Sequence, residues 1–534
     1  MLRRVNGWTT HLSVVLPAML ACIGIAVPVG AQYPFVPPPL RCIPESEGPG
    51  ILAGIAPTPA VLMVRRDLAI LKFTYLPLSG DSDLALRALR DRLEARLRAV
   101  RPFAVRAYAG PAELRSATPG ERPVELSALG SQLGARRILA GRIDQNAAVV
   151  HVVLDIYDAT TGARLWRTDK TALLSDLLSM ELALAREVGA YAFGDLTAQD
   201  RDALASSVTR DEVAYTHYLR GIEYLRDTIS ASEAVAEFVA ATQQAPKFAE
   251  GWSALAVAYT TVASTLLADS SSRASVLLLA MAAANKSTAL SPRSAPSWIA
   301  RGVVLASREP SRPFEALGAY ERAVMLEPAN AEAHRRLGRA MMQEGRAADA
   351  QMHLLRAVML QPEDPTPLVD LGELELNQHA YGQSCRALDL ALSMDPRIAS
   401  AYLLRAMARL GRRDVRHAWI DAETGRRLGA EVGGQAVSAL ADVAAHDTAS
   451  ATNRVRLLQR RLKSKERISV NDGGYVALGL TSIGDRRGAL DLLERVRPRG
   501  PELYLMLQRP GFDRLWTYIS FRRLLDEANA GGER

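Results

Sequence analysis

The sequence lacks the arrangements that most enzymatic chemistry requires. It has no Gly-x-x-x-x-Gly-Lys loop to cradle phosphates, no glycine fingerprint after a strand, no His-Glu-x-x-His and no Gly-x-Ser-x-Gly elbow. Its eight histidines are scattered. His151 falls opposite the apolar face of an alternating run, which predicts exposure or a hydrogen bond, and His334 sits where packing is expected. Three cysteines are too few for a cysteine-based metal framework. No catalytic residue, metal or cofactor is therefore expected, and a non-enzymatic protein is. Lysine is scarce, since almost all of the 65 basic residues are arginine. The net charge of +7 is modest over 534 residues and does not call for a nucleic-acid partner.

Charge is also missing from one place in particular. Between Arg4 and Arg41 there is no Asp, Glu, Lys or Arg, and the gap holds LSVVLPAMLACIGIAVPVGA, ending Val29-Gly30-Ala31. A short basic start, an apolar core and small residues before the cut site predict a signal peptide over 1–31, cleaved after Ala31. The alternative is an uncleaved membrane tether over residues 11–31. Cys22 lies within the apolar core of this segment. An exported, periplasmic or cell-envelope protein is expected in either case. Removal of the segment leaves Cys42 and Cys385. Nothing in the sequence shows that they pair, and two free thiols is the simpler expectation. Residues 32–64 are rich in proline and glycine and predict an extended linker.

Residues 65–195 alternate between two periodicities. LAILKFTYL (68–76) and FAVRAYA (103–109) are strand-like. LALRALRDRLEARLRAV (84–100) places Leu86, Leu89, Leu93, Leu97 and Val100 on one helical stripe. VELSALGSQLGA (124–135) predicts a second helix stopped by Gly134. In AVVHVVLDIYD, Val150, Val152, Leu154 and Ile156 share one strand face, and ATTG (159–162) turns a hairpin with Gly162 free to adopt a positive φ. A helix follows over about 177–194. Through LAILKFTYLPLSGDSD, LGSQLGARRILAGRID and VVLDIYDATTGARLWRTD, this region resembles the TolB amino-terminal-like domain of many bacterial regulatory and envelope proteins. In that family the domain often precedes tetratricopeptide repeats, sometimes behind a cyclase or kinase module, and no such module occurs here.

After a connecting segment (196–212) the chain repeats itself. RAVMLEP (322–328) returns as RAVMLQP (356–362). Aligned on the proline, the copies give Pro246, Pro292, Pro328, Pro362 and Pro396, the last two steps being 34 residues. That period resembles the tetratricopeptide repeat. Leu337-Gly338, Leu354 and Ala357 recur as Leu371-Gly372, Leu388 and Ala391, with Ala350 in the first of these copies, and looser copies carry Trp252, Trp298, Gly302 and Tyr320. The copy that holds Trp252 carries a long insertion, and the copy over 295–330 has two extra residues in its turn. Small residues let paired helices approach, large ones fill the gap, and proline stops the second helix. Such units bury their apolar faces only by stacking. The expected fold is thus multidomain: a small α/β (α+β) domain, then an all-α tetratricopeptide-type superhelical solenoid over 213–429. A degenerate repeat and a C-terminal helical cap are expected over 430–534, with Phe512, Trp516 and Phe521 buried. The basic stretch RVRLLQRRLKSKER (454–467) predicts a solvated helix face.

The first helix of each unit is expected to line a concave groove. Arg335 and Arg339, one turn apart, could grip a carboxylate such as a peptide terminus, or pair with neighbouring acids, and Leu376 and Leu403 at analogous positions could add apolar contacts. A protein or peptide partner bound in the envelope is the expected function. A ligand-responsive sensor or regulator using the α/β domain is the alternative.

Overall fold

The computed structural model describes residues 66–71, 73–75, helical positions scattered between 89 and 100, 105–107, 126, 135–146, 149–173, 176–205, 209, 211–226, 230–265, 270–308, 313–362, 364–463, 468–497 and 501–529. The expected signal segment 1–31, the linker 32–64, Cys22, Cys42 and nearly all of the helix expected over 124–135 lie outside them. Among the described residues no helix is long and apolar enough to cross a membrane.

The N-terminal unit is one six-stranded sheet. Strands β1 (Arg66–Ile70), β3 (Val105–Ala107) and β4 (Ala135–Asn146) run parallel, with short β2 (Thr74–Tyr75) also on β4. Strands β5 (Val149–Asp158) and β6 (Arg164–Leu173) add antiparallel to the edge, giving the order β3-β1-β4-β5-β6. Alternation decides the faces. Val150, Val152, Leu154 and Ile156 are fully buried in one core with Leu68, Ile70, Leu89, Leu93 and Leu97. The opposite face buries Ile138, Ala140 and Tyr157 beneath Leu126. The β5–β6 turn closes where expected. Gly162 has φ of 71°, and the Asp158 carboxylate accepts from the backbone N–H of Thr160 and Thr161, each at 2.8 Å.

Helix α1 (Leu177–Phe193) packs on the sheet, and α2 (Ala198–Ala205) occupies the connecting segment. The unit is joined to the repeats by contacts and not only by chain. Glu181, with no exposed surface, receives the side chains of both Arg92 and Arg96. The Arg92 guanidinium lies 4.8 Å over the ring of Tyr215, on the first helix of the repeats. Tyr215, Leu219 and Phe248 then form a small core against Leu178 of α1.

The rest is a stack of helix pairs: α3 (Glu212–Arg226) with α4 (Ala231–Gln244), α5 (Ala249–Thr265) with α6 (Ser270–Leu290), α7 (Ala295–Ser307) with α8 (Pro313–Leu326), and α9 (Ala331–Gln343) with α10 (Ala347–Leu360). There follow α11 (Thr366–Asn377) with α12 (Tyr381–Met394), α13 (Ala399–Gly411) with α14 (Val415–Arg427), α15 (Glu431–Ala444) with α16 (Thr448–Lys463), and α17 (Val470–Ser482) with α18 (Arg486–Leu493). The short α19 (Pro501–Leu507) and α20 (Ile519–Asn529) end the chain.

The prolines act as expected. Helices α4, α6, α8, α10 and α12 each stop two residues before one. The residue preceding proline is pushed out of helical geometry, as Gln361 (φ −135°, ψ 74°) and Asp395 (φ −137°, ψ 102°) show. The close approach inside a pair is set by glycine. A Cβ at Gly338 would lie 2.9 Å from Leu354, and one at Gly372 would lie 2.6 Å from Leu388. The insertion after Trp252 lengthens both helices, to 17 residues in α5 and 21 in α6, against 13 and 14 in α7 and α8.

Two expectations are corrected. Trp516 is 44% exposed although Phe512 and Phe521 are fully buried. The chain makes a 3₁₀ turn over Phe512–Leu515, and with Phe512 and Leu515 turned inward on one side, Trp516 falls outward. Cys385, wholly buried on α12, is disulfide-bonded and not a free thiol, and its partner lies outside the described residues.

Candidate functional site

The site is built from α9 and α11. On α9 the i, i+3, i+4 and i+7 spacing sets Glu332, Arg335, Arg336 and Arg339 on one stripe, and Asn330 caps the helix by accepting from Ala333 N. Arg335 makes a bidentate pair with Glu332 (2.8 and 2.9 Å) and reaches Asp370 on α11 at 3.0 Å. Arg339 donates to the other oxygen of Asp370 at 2.7 Å and to Glu373 at 3.2 Å. Glu373 also receives Arg509, at 2.8 Å, and that guanidinium lies 4.9 Å over the Tyr475 ring of α17. Burial disfavours charge on Glu332, Glu373, Arg335 and Arg339, but the pairing overrides it. The Arg336 and Arg335 guanidiniums hold the Glu332 carboxyl down at about 2, and Arg339 and Arg509 lower Glu373. Neighbouring carboxylates raise Arg335 and Arg339 above the usual arginine value.

Arg335 and Arg339 thus point to one place, as their spacing suggested, and there they engage neighbouring acids. Arg339 and Glu373 stand 34 residues apart, so they occupy the same position in successive units. Opposite charges one period apart were the available signal for this pairing. Leu376 and Leu403 are placed differently from expectation. Leu376 has no exposed surface and Leu403 only 3%, so neither lines a groove. Leu403 fills the space left by Gly425 and Gly433. Leu376 belongs to a run, Asp370 to Leu376, that is buried without a break. A helix can be buried through two full turns only if it is covered on every side.

The cover is the chain's own C-terminal segment. Leu505 of α19 packs in one core with Met341, Leu371 and Leu374, and its carbonyl accepts from the Asn377 side chain at 3.2 Å. The cap therefore does more than seal the last unit, because it fills the inner side of the stack at α9 and α11. Beside this plug lies a cavity of about 390 Å³. Its walls are α5 (Val257, Thr260, Thr261), the start of α6 (Arg273), the end of α7 (Ser307, Arg308), α9 (Arg336, Arg339, Gln343), the start of α17 (Ser469, Asn471), and Arg497 and Glu502.

His334 packs as expected, and the structure shows why. Trp252 and Trp298 donate their indole N–H to the carbonyls of Pro246 and Pro292, at 3.0 and 2.9 Å. His334 takes the equivalent place, and its Nε2–H donates to Pro328 at 3.0 Å. Its Nδ1 is left to accept from Nδ1–H of His353, 2.9 Å away. Burial lowers both imidazoles below the usual histidine range. Among the described residues no three His, Cys, Asp or Glu side chains gather as a metal ion would need.

Comparison with known proteins bears on the repeats. A tetratricopeptide repeat model matches residues 311–366. The solenoid is of the tetratricopeptide type. Among solved structures, pilF of Pseudomonas aeruginosa is 20% identical over 41% of this chain and 92% of its own, with a TM-score of 0.32. A thermophilic tetratricopeptide protein of Thermus thermophilus is 18% identical over 37% of this chain and 99% of its own, with a TM-score of 0.32. Yeast Tom70 is 13% identical over 66% of this chain and 82% of its own, with a TM-score of 0.37. At these TM-scores the likenesses carry no argument about function. No curated protein matches the sequence.

Proposed function

We propose that this chain is an exported, non-enzymatic scaffold of the cell envelope whose tetratricopeptide repeats bind a protein or peptide partner. The observation that carries the reading is the inner side of the stack, hollow along α5, α7 and α9 and filled by the chain's own tail beyond them. Stacked helix pairs present such a surface to partners, and the hollow stretch is the part of it that a partner can reach. Export is supported by the uncharged, apolar residues between Arg4 and Arg41 and by the resemblance of the N-terminal unit to TolB amino-terminal-like domains. A specific observation favours a second surface. Met325, Met352 and Met359 are 69%, 58% and 46% exposed on the second helices α8 and α10, and Met325 and Met359 hold the same position in successive units. Methionine suits adaptable apolar contacts.

Photo-crosslinking in intact cells separates these surfaces. A photoreactive residue replaces Gln343, which lines the cavity, or Met352, on the outer helix. A discrete protein adduct from position 343 alone is expected. An adduct from 352 alone moves the binding surface to the outer methionines, and none from either position overturns the scaffold reading.

A further inference from the structure

The sulfur of Cys385 is already bonded, and the sequence leaves two candidates for its partner. The chain has three cysteines, so the other half of the disulfide is Cys22 or Cys42. Cys22 lies in the apolar core of the expected signal segment, upstream of the cut after Ala31. Cys42 lies downstream of that cut, in the proline-rich stretch that leads to β1 at Arg66.

Burial on α12 shows independently that this residue is covered. One period before Cys385 stands Gln351 on α10, which is half-buried, and one period after it stands Trp419 on α14, 39% exposed. All three lie at the edge of the stripe that the second helices bury, next to Ala350, Ser384 and Ala418, which have no exposed surface. Repeats in one register leave the same patch of helix open. Cys385 nevertheless has no exposed surface, so the patch is closed locally, and the disulfide is the attachment of what closes it. The stretch from Cys42 to Arg66 can span roughly 80 Å when extended. That is several helix diameters, and proline-rich chain favours extension.

We propose that Cys42 is the partner, and that the disulfide staples the N-terminal linker across α12, on the fifth helix pair of the stack. The bond forms by thiol–disulfide exchange with a disulfide-bearing oxidant of the envelope. The thiolate of one cysteine attacks the oxidant, releases one of its sulfurs as a thiol and leaves a mixed disulfide. The thiolate of the other attacks that mixed disulfide and releases the second thiol. Two protons and two electrons pass from the cysteines to the oxidant, which leaves as a dithiol, and one S–S bond joins residues 42 and 385. The chain is then held at α12 before it enters the sheet at β1. This inference rests on the export proposed above, since an oxidising compartment sustains such a bond and removal of residues 1–31 removes Cys22.

Disulfide mapping of the full chain tests it. Thiols are blocked with N-ethylmaleimide before lysis, and the protein is digested with trypsin without reduction. The expected product is peptide 42–65 linked to peptide 357–386, the two separating on reduction. Peptide 5–41 linked to 357–386 would assign the bond to Cys22 and overturn the proposal. In Cys42→Ser, the denatured, unreduced chain should take up one maleimide, on Cys385, where the parent takes none. No label on Cys385 in that variant means another partner and also overturns it. The amino terminus and the cell fraction are read from the same sample. Labelled Cys385 in an envelope protein that begins at Gln32 overturns the staple and leaves export standing. A cytosolic protein with both thiols labelled overturns staple and export together.

Discussion

In the units between 331 and 398, the decisive contacts join residues of one helix pair: Gly338 receives Leu354, and Gly372 receives Leu388. In the C-terminal segment they span more than a hundred residues of chain. Asn377 bonds to Leu505 across 128 residues, and Glu373 to Arg509 across 136. The first region is held by shape, with fully buried leucines against glycines. The second is held by buried charge together with buried apolar side chains such as Leu505 and Met506. A ladder of local contacts forms unit by unit, whereas the closure requires the stack to have curved first, so the two regions should fail separately.

The largest effect should come from Glu373, whose carboxylate joins Arg339 of the ladder to Arg509 of the tail. Removing one member of a buried pair leaves its partners uncompensated, at a cost of about 3–5 kcal/mol. In Glu373→Ala that loss should fall on the closure. Amide exchange and protease cleavage should rise over 501–529, while α7, α8 and α10 keep their protection. Equal loss of protection throughout would mean that ladder and tail are one cooperative unit.

A middle-sized effect tests the ladder. One period beyond Gly372 and Leu388 the chain has Ala406 and Ala422, both without exposed surface. The same register is thus filled either by glycine facing leucine or by alanine facing alanine. Leu388→Ala alone should cost about 2–5 kcal/mol through the cavity it leaves, and Gly372→Ala alone about 1–3 kcal/mol through overpacking. Together they should cost less than the sum, with a coupling of about 1–3 kcal/mol in chemical denaturation. Simple additivity would show that the pair is not packed as described.

The two regions also differ in how far the sequence discloses them. The pairs are legible because their causes are local: a residue before proline leaves the helix, and a glycine faces a large side chain within the same unit. Both strands of the β-hairpin and the stripe of Leu89, Leu93 and Leu97 follow equally local rules. The closure is not local. Nothing in the residues around Leu376 says that a segment more than a hundred positions later will cover it, so a helix read as groove-lining is encased. Even so, Gly425 and Gly433 on either side of Leu403, and the opposite charges of Arg339 and Glu373 one period apart, were visible traces of the packing.

The smallest effect concerns acid, and it separates the network's rim from its centre. Glu332 pairs with Arg335 and Arg336, yet its side chain is 40% exposed, unlike Glu373. Burial alone would raise its carboxyl. The two guanidiniums lower it instead, to about 2, from the ordinary glutamate value of about 4.3. A depressed folded-state value means that the stabilisation is complete above about pH 4.3 and fades as pH falls toward about 2. Solvent screening at such exposure limits it to less than about 1 kcal/mol. Glu332→Gln should therefore lower stability slightly at pH 6 and not at all near pH 2, with the two proteins' denaturation midpoints converging between. Because the Glu332 pairs with Arg335 and Arg336 lie within α9, the variant should leave exchange over 501–529 unchanged, and faster exchange there would place Glu332 in the closure as well.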